Sequence, residues 1–134
     1  MLPFDEPMVY QEIEYRTVEN FYQAMKLPKE ETEKRCYIAS LNPYRAKKEG
    51  RKLQIRSDWD EIKLDVMEYA LRFKFQEGTS WHSKLMATGE AEIVEWNNWG
   101  DEYWGVSVKT KRGQNHLGKL LMKIRGEFKN GKIC

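Results

Sequence analysis

The chain has 134 residues, with 23 basic and 21 acidic side chains, so its length predicts one domain, residues 1–134, and its charge balance is not typical of a nucleic-acid binder. Hydrophobic residues make up 40% of the sequence and aromatic residues 13%, which excludes a disordered chain and predicts a substantial core. No apolar run reaches the ~20 residues of a membrane helix, and the first residues lack a signal-peptide pattern. We therefore expect a cytoplasmic protein without a membrane partner.

Cysteine and histidine are scarce, with two of each in the chain. Cys36 and Cys134 do not supply a disulfide framework, and with His82 and His116 they offer a poor set of metal ligands. We expect no metal site and no cofactor. Cys36 lies among apolar residues of a predicted helix and is expected in the core, and both histidines are expected to be ordinary polar residues.

The first half of the chain predicts one strand followed by helices. Residues 9–15 alternate weakly between apolar and polar, as in an edge strand. Thr17 is placed to cap a helix that runs to about Lys26 and ends before Pro28. A second helix is predicted over about residues 29–41, and a short basic helix over about residues 44–52.

The second half predicts the longest helix, a short helix, two strands and a final helix. Residues 58–75 carry apolar side chains on one helical face after a capping Ser57, and Ser80 to Ala87 forms the short helix before Gly89. The sequences EIVEW and YWGVSVK are rich in β-branched and aromatic residues, which favour strands. With a last helix capped by Asn115, the predicted fold is a helix-rich α+β domain with a small β-sheet.

Three sequence features offer chemistry, and each also has a plain structural interpretation. Glu19, Gln23 and Lys26 share one helical face, which is typical of a solvated surface as well as of a site. The segment NWGDEYWGV combines tryptophans for stacking with glycines that allow close backbone approach, or it forms an aromatic corner of the core. The segment GQNHLGK places glycines before a helix N-terminus, where free amides attract anions, or Asn115 serves there only as a cap.

A basic run is the densest positive segment. It forms either a solvated helix face or a patch that receives phosphate, and it comprises Arg45, Lys47, Lys48, Arg51, Lys52 and Arg56. Within it, Lys47 and Arg51 lie four residues apart, which places both on one side of the short helix.

Six segments together resemble the NADAR (YbiA-like) family in sequence and in order. They are TVENFYQAMK, AKKEGRK, RSDWDEIKLDVMEYALRFKF, LMATGEAEIVEWN, WGDEYWGV and GQNHLGKLLMKIR. The resemblance covers roughly residues 10–126. It implies a helix-rich α+β fold and hydrolysis of the N-glycosidic bond between ribose and a base. One branch of the family acts on riboflavin-biosynthesis intermediates, and another removes ADP-ribose from guanine in nucleosides or DNA.

The resemblance implies site residues at matching positions. Glu19, Lys26 and Asp101 are the implied catalytic residues: a carboxylate to stabilise charge at the anomeric carbon, an amine able to form a Schiff base with an opened ribose, and a second carboxylate or ribose-orienting group. The candidate substrate-binding residues lie in the same segments and are Tyr22, Gln23, Lys47, Arg51, Trp59, Trp99, Trp104, Gly105, Asn115 and Gly118. We expect Trp104 and the turn from Asn115 to Gly118 to line one pocket with Glu19.

Two features depart from the family pattern. The segment MLPFDEPMVY replaces a Leu-Ser-Asn-Phe type of beginning, which helps line the pocket in the family. Asn20 follows the motif glutamate where the family usually has histidine, so no histidine acts as acid or base there.

The segments are closest to the ADP-ribose-acting branch, which predicts ADP-ribosylated guanine, free or in DNA, as the substrate and a paired ADP-ribosyltransferase as a functional partner. An antitoxin or counter-defence role fits such a pair. Two alternatives are an N-glycosidase of riboflavin intermediates and a non-catalytic module that binds ADP-ribose or NAD. The presence of both Glu19 and Lys26 argues against the binding module.

Overall fold

The structure is a computed structural model that describes residues 2–131, so Cys134 lies outside the described residues. The described chain forms two compact units, one ending at Thr79 and the other beginning at Ser80. Helices dominate both units, and each contains one two-stranded sheet. The helix-rich α+β prediction is confirmed, with two small sheets in place of one. No helix within residues 2–131 is long and apolar enough to cross a bilayer.

The first unit begins with a β-hairpin where the sequence predicts a single strand. Strands β1 (Met8–Tyr10) and β2 (Ile13–Tyr15) pair antiparallel, with Met8 opposite Tyr15. The reversal occurs at Gln11 and Glu12, whose φ angles of 48° and 69° are those of a tight hairpin turn. The prediction missed the turn because neither residue is the glycine or asparagine that usually occupies such positions.

Four helices complete the first unit, and they are α1 (Val18–Ala24), α2 (Thr32–Ser40), α3 (Pro43–Gly50) and α4 (Trp59–Lys74). Helix α1 packs against each of the other three. Its buried Phe21 lies within ring-contact distance of Tyr15, with centroids 5.4 Å apart. The core of this unit therefore surrounds α1, the helix that carries the candidate glutamate.

Two expectations for the first unit are wrong. Cys36 is exposed, because α2 turns Arg35 and Ile38 inward instead. The Ser57 cap does not form: α4 begins at Trp59 with Asp58 at the cap position, and the Asp58 side chain makes no cap bond. The Asp58 carboxylate is instead engaged by Arg56, which donates two hydrogen bonds to it at 2.6 and 3.1 Å.

The second unit consists of α5 (Ser80–Ala87), β3 (Trp96–Asn97), β4 (Val106–Ser107) and α6 (His116–Lys129). The short helix is confirmed, and Gly89 after it has a left-handed φ of 65°. The two predicted strands are only two residues long each and pair parallel. They are short because much of the intervening segment is held by side-chain-to-backbone hydrogen bonds and not by a sheet ladder.

Candidate functional site

Helix α1 presents one partly exposed side chain on an otherwise buried helix. Thr17 has extended backbone and its hydroxyl accepts a hydrogen bond from the Asn20 N–H, which confirms the predicted cap. Val18 and residues 20–24 are buried, whereas Glu19 remains partly exposed. The fold thus holds the Glu19 carboxylate at the surface of a rigid core.

Asn20, the residue that departs from the family pattern, is buried and forms hydrogen bonds that connect two helices. Its side-chain nitrogen donates to the carbonyls of Ile38 and Leu41, at 2.9 and 2.7 Å. Its side-chain oxygen accepts from the Thr17 hydroxyl at 2.6 Å. Because these bonds occupy both ends of the amide, Asn20 joins α1 to the end of α2 and has no free group for proton transfer.

Gln23 lies one turn after Glu19 and touches it directly. Its Nε2 donates to Oε2 of Glu19 over 2.7 Å. The Gln23 side chain is 4% exposed, so it lies beneath the carboxylate and not beside it at the surface. The carboxylate therefore has one oxygen fixed from below.

Lys26 lies just after α1. The sequence predicted that this helix would run to about Lys26, but it ends at Ala24. The Lys26 amide donates to the Gln23 carbonyl at 3.2 Å, a tight turn that keeps Lys26 near the side of the helix that carries Glu19. The ammonium lies 5.6 Å from the centroid of the Tyr22 ring, and Tyr22 meets Trp59 edge to face at 5.0 Å. Tyr22 therefore lies next to the amine, and Trp59 packs against Tyr22.

The surroundings of Lys26 favour its uncharged form. Burial lowers the pKa of Lys26 below its usual 10.5, Glu19 opposes that change, and Arg51 and Lys47 lower the pKa further. A lysine amine that loses its proton more readily is a better nucleophile near neutral pH. Glu19, Arg51 and Lys47 are thus the charged groups that act on the Lys26 amine.

Helix α3 brings the two cations to this place. Asn42 caps it by accepting from the Arg45 N–H at 2.9 Å, and Pro43 occupies its first turn. Gly50 is buried against Gln23, and Lys47 and Arg51 flank it along the chain. The predicted residues of the first unit thus form one cluster, which we call the Glu19–Lys26 cluster: Glu19, Tyr22, Gln23, Lys26, Lys47, Arg51 and Trp59.

Within the second unit, the predicted residues lie around a side-chain-stabilised turn. Oδ1 of Asp101 accepts from the amides of Tyr103 and Trp104, at 2.9 and 3.2 Å. The buried Asn97 holds the Asp101 backbone in turn, donating to its carbonyl at 2.8 Å and accepting from its amide at 2.9 Å. One Asp101 oxygen is therefore engaged in shaping the loop that presents Trp104.

Aromatic side chains of the second unit differ in exposure. Trp99 is 62% exposed. Trp104 is partly exposed and meets Tyr103 edge to face, with centroids 4.8 Å apart. His116, expected to be an ordinary polar residue, lies against the Tyr103 ring at 4.4 Å.

Asn115 and Gly118 have clear structural roles at the start of α6. Asn115 does not cap the helix: its Oδ1 accepts from the Glu95 amide at 2.9 Å, and its Nδ2 donates to the Ile93 carbonyl at 2.9 Å. A Cβ on Gly118 would overlap the Ile93 carbonyl and come within 2.5 Å of Asn115 Nδ2. The Asn115 side chain therefore bridges segment 93–95 to α6, and Gly118 allows their close packing.

The amides at this helix start are already engaged. His116 donates to the Tyr103 carbonyl at 3.1 Å, and Leu117 donates to the Trp104 carbonyl at 2.9 Å. Gly105 packs its backbone against the Glu95 carbonyl, where a side chain would overlap. Substrate binding by Gly105, Asn115 and Gly118, and a pocket shared with Glu19, stay predictions.

Sequence reasoning did not single out Gly50, and it considered Arg56 only as a member of the basic run. The only signal for Gly50 was a glycine inside a helical pattern, which often marks close packing. Arg56 acts through its main chain, whose N–H donates to the Lys26 carbonyl at 2.9 Å, so its side-chain type carried no signal.

A cavity of about 760 Å³ lies beside the hairpin and α2, away from the predicted residues. Arg16, Asn20, Cys36 and Asn42 are among the residues that line it, and Glu19 and Lys26 are not. Within residues 2–131, no group of three His, Cys, Asp or Glu side chains is arranged to hold a metal ion.

Known proteins resemble this chain over nearly all of its length. It is 36% identical over 124 residues to an N-glycosidase of Nostoc punctiforme, an alignment that covers 90% of this chain and 78% of that protein. It is 36% identical over 114 residues to the N-glycosidase YbiA of Escherichia coli, covering 84% of this chain and 69% of YbiA. A riboflavin biosynthesis protein of Vibrio vulnificus is 32% identical over 112 residues, which are 82% of this chain and 30% of that protein.

The fold agrees with these sequence matches. The solution NMR structure of Escherichia coli YbiA superposes with a TM-score of 0.80 at 32% identity, covering 96% of this chain and 76% of that one. The model of the NADAR domain family matches residues 3–129, a span that includes the Glu19–Lys26 cluster and the loop of Asp101. The chain therefore belongs to the NADAR domain family of YbiA-like N-glycosidases.

Proposed function

We propose that this protein hydrolyses the N-glycosidic bond between ribose and a base, and that its substrate is ADP-ribosylated guanine, as a nucleoside or in DNA. The observation that carries the proposal is the Glu19–Lys26 cluster: a partly exposed carboxylate beside a lysine of lowered pKa, with Lys47 and Arg51 close by. Family membership supports the bond type, and the paired cations support a ligand with phosphate groups.

Glu19 serves the charge that develops during bond cleavage. As the bond to the base weakens, positive charge grows at the anomeric carbon and the ring oxygen. A carboxylate held in a fixed orientation stabilises that charge without reorganising at the moment of reaction. The same group can accept the proton that the attacking nucleophile releases.

Lys26 serves as the nucleophile in this mechanism. Its neutral amine attacks the anomeric carbon, and the electron pair of the C–N bond leaves with the base, which takes up a proton. Loss of an amine proton and opening of the ribose ring give a Schiff base, with the ring oxygen becoming a hydroxyl. Water then adds to the Schiff base carbon, the lysine amine leaves, and the sugar closes again.

The remaining predicted residues bind the substrate in this proposal. Lys47 and Arg51 hold the pyrophosphate, and the second oxygen of Asp101 binds ribose hydroxyls. Trp104 and Trp99 offer flat surfaces for stacking on a base. An ADP-ribosyltransferase that makes the modified guanine is the functional partner that this activity requires.

Intermediates of riboflavin biosynthesis are the second candidate substrates. The names of the Vibrio vulnificus relative and of a maize relative, which is 32% identical over 123 residues, favour them. Both candidates require cleavage of an N-glycosidic bond of ribose, so the chemistry assigned to the Glu19–Lys26 cluster is compatible with either. A non-catalytic ADP-ribose module would not need a lysine of lowered pKa beside a carboxylate.

Cleavage of the N-glycosidic bond in each substrate distinguishes these candidates. The purified protein is incubated with ADP-ribosyl-guanosine, with an ADP-ribosylated guanine in an oligonucleotide, and with a ribosylated riboflavin-pathway intermediate. Liquid chromatography then follows the release of ADP-ribose from the first two substrates and of the base from the third. We expect turnover of the ADP-ribosylated substrates. Turnover of the riboflavin intermediate alone would select the second candidate, and binding of ADP-ribose without any turnover would select the module.

A further inference from the structure

The Gln23 side chain is placed where it can act on Glu19 and on nothing outside the protein. Its Nε2 donates to Glu19 Oε2 at 2.7 Å, whereas its Oε1 is buried and has no hydrogen-bond partner among the described residues. The residue as a whole is 4% exposed. A substrate at the surface therefore meets Glu19 and does not meet the Gln23 amide.

The Gln23 side-chain amide packs against the backbone of Gly50. A Cβ built on Gly50 would overlap Gln23 Oε1 and lie 2.6 Å from its Cδ and 3.2 Å from its Cγ. These Gln23 atoms are the nearest neighbours that such a Cβ would meet. Glycine at the end of α3 thus leaves the space that the Gln23 side chain fills.

The direction of the amide follows from the charge of its partner. An ionised carboxylate only accepts hydrogen bonds, so the nitrogen of Gln23 must face Glu19 and the oxygen must face Gly50. That orientation leaves a buried oxygen without a hydrogen bond, which costs stability. A side chain that is present despite this loss of stability is expected to have another role. Here that role is to hold the Glu19 carboxylate in a fixed orientation.

We propose that Gln23 is a positioning residue that orients the Glu19 carboxylate from below, and that Gly50 is required to seat it. The inference rests on the proposed function for its effect on turnover, and it changes the predicted role of Gln23 from substrate binding to positioning. Gly50 also lets α3 approach α1 closely, which helps to bring Lys47 and Arg51 near Lys26.

Gln23→Met tests the amide, because methionine keeps the length and fills the space without donating to Glu19. We expect kcat to fall about 10- to 100-fold, the size expected when one hydrogen bond to a charged group is lost, with KM within about twofold of wild type. Gln76→Met, at an exposed position of the same unit, is the matched control and should retain full activity. An unchanged kcat, or a loss that appears only as a raised KM, would overturn the proposal.

A spectroscopic measurement tests the same contact without turnover. In protein labelled with 13C at glutamate side chains, the Glu19 carboxylate signal is identified by its absence in Glu19→Gln. We expect that signal to move in Gln23→Met and to stay in place in Gln76→Met. If wild type cleaves no substrate while the signal moves, the proposed function fails and the positioning contact stands; if it does not move, the contact itself is wrong.

Gly50→Ala tests the packing of Gln23 against Gly50 through a double-mutant cycle. In the wild-type background the new methyl group meets Gln23, so we expect the melting temperature to fall by roughly 5 °C. In a Gln23→Ala background that space is empty, and alanine in a helix is more stable than glycine, so Gly50→Ala should then be neutral or stabilising. Equal effects in both backgrounds would contradict the role assigned to Gly50.

Discussion

The main-chain N–H of Arg56 donates to the carbonyl of Lys26 over 2.9 Å. The next carbonyl, that of Leu27, accepts from the guanidinium of Arg35 at 2.9 Å. Two successive carbonyls after α1 are thus held by residues that lie far apart along the chain. Lys26 is not inside a helix, yet its backbone is held by hydrogen bonds, and its ammonium lies 5.6 Å from the centroid of the Tyr22 ring.

We predict that turnover rises with pH as the Lys26 amine loses its proton. Burial, Arg51 and Lys47 lower the Lys26 pKa, so the rise should occur below the usual lysine value of 10.5. Arg51→Gln removes one of these causes and should move the rise to higher pH. The measurement is kcat against pH for both proteins; a profile that is the same in both would exclude Lys26 as the titrating group.

The Lys26 prediction extends to covalent chemistry. Lys26→Ala should abolish turnover, and Lys26→Arg should not restore it, because a guanidinium keeps its charge and does not attack carbon. Borohydride added during turnover should trap an ADP-ribose adduct on wild type, visible by intact mass, and none on Lys26→Ala. Activity in Lys26→Arg, or no adduct while turnover proceeds, would leave Lys26 an electrostatic role and require direct attack by water.

Glu19→Gln is predicted to separate binding from chemistry. The amide keeps the shape of the carboxylate but lacks the negative charge that stabilises the developing cation. We expect kcat to fall by roughly 100- to 1,000-fold while the dissociation constant for ADP-ribose changes little. Calorimetry with ADP-ribose gives the second value, and a matched loss of affinity would place Glu19 in binding instead.

The local elements were the predictable part of this structure. The Thr17 cap and the short helix from Ser80 to Ala87 depend on neighbouring residues, and both are present. Asn115 was assigned a local cap and instead bonds to segment 93–95, since a contact across about 20 residues replaced the local one. The contact between Gln23 and Gly50 likewise depends on how two helices pack, which helical periodicity does not specify.

The same limit applies to the site. Its motif residues Glu19 and Lys26 could be identified from their segment, and structure places them close together. The main-chain bond from Arg56 to Lys26 could not be predicted, because every residue other than proline carries the same N–H. The exposure of Cys36 was missed because α2 has a weak apolar face, on which Arg35 is buried.

Lys47 and Arg51 are predicted to make substrate affinity depend on salt. If they contact phosphate, affinity should fall as ionic strength rises, and for a DNA substrate each removed cation should reduce the log–log slope by about one. Lys47→Gln and Arg51→Gln test this, with the exposed Lys34→Gln on α2 as the control. Affinity that does not change with salt in wild type would remove the phosphate contact.

The last prediction concerns α6, in which two glycines should respond in opposite ways to alanine. A Cβ on Gly118 would overlap the Ile93 carbonyl and crowd Asn115, whereas a Cβ on Gly126 would meet nothing within 4 Å. Gly118→Ala should therefore destabilise the protein by about 1–3 kcal/mol. Gly126→Ala should stabilise it by about 0.5–1 kcal/mol, since the unfolded chain loses freedom and no contact is strained.

Asn115→Asp completes this test, because aspartate keeps the acceptor for the Glu95 amide and replaces the donor to the Ile93 carbonyl by an oxygen that repels it. Denaturant unfolding measures all three variants, and hydrogen exchange should show faster opening of the Glu95 amide in Gly118→Ala and Asn115→Asp. If Gly118→Ala is as stable as Gly126→Ala, the close packing against segment 93–95 is wrong. Gly118 would then be available for the phosphate contact predicted from the sequence, which a loss of ADP-ribose affinity in the folded Gly118→Ala protein would support.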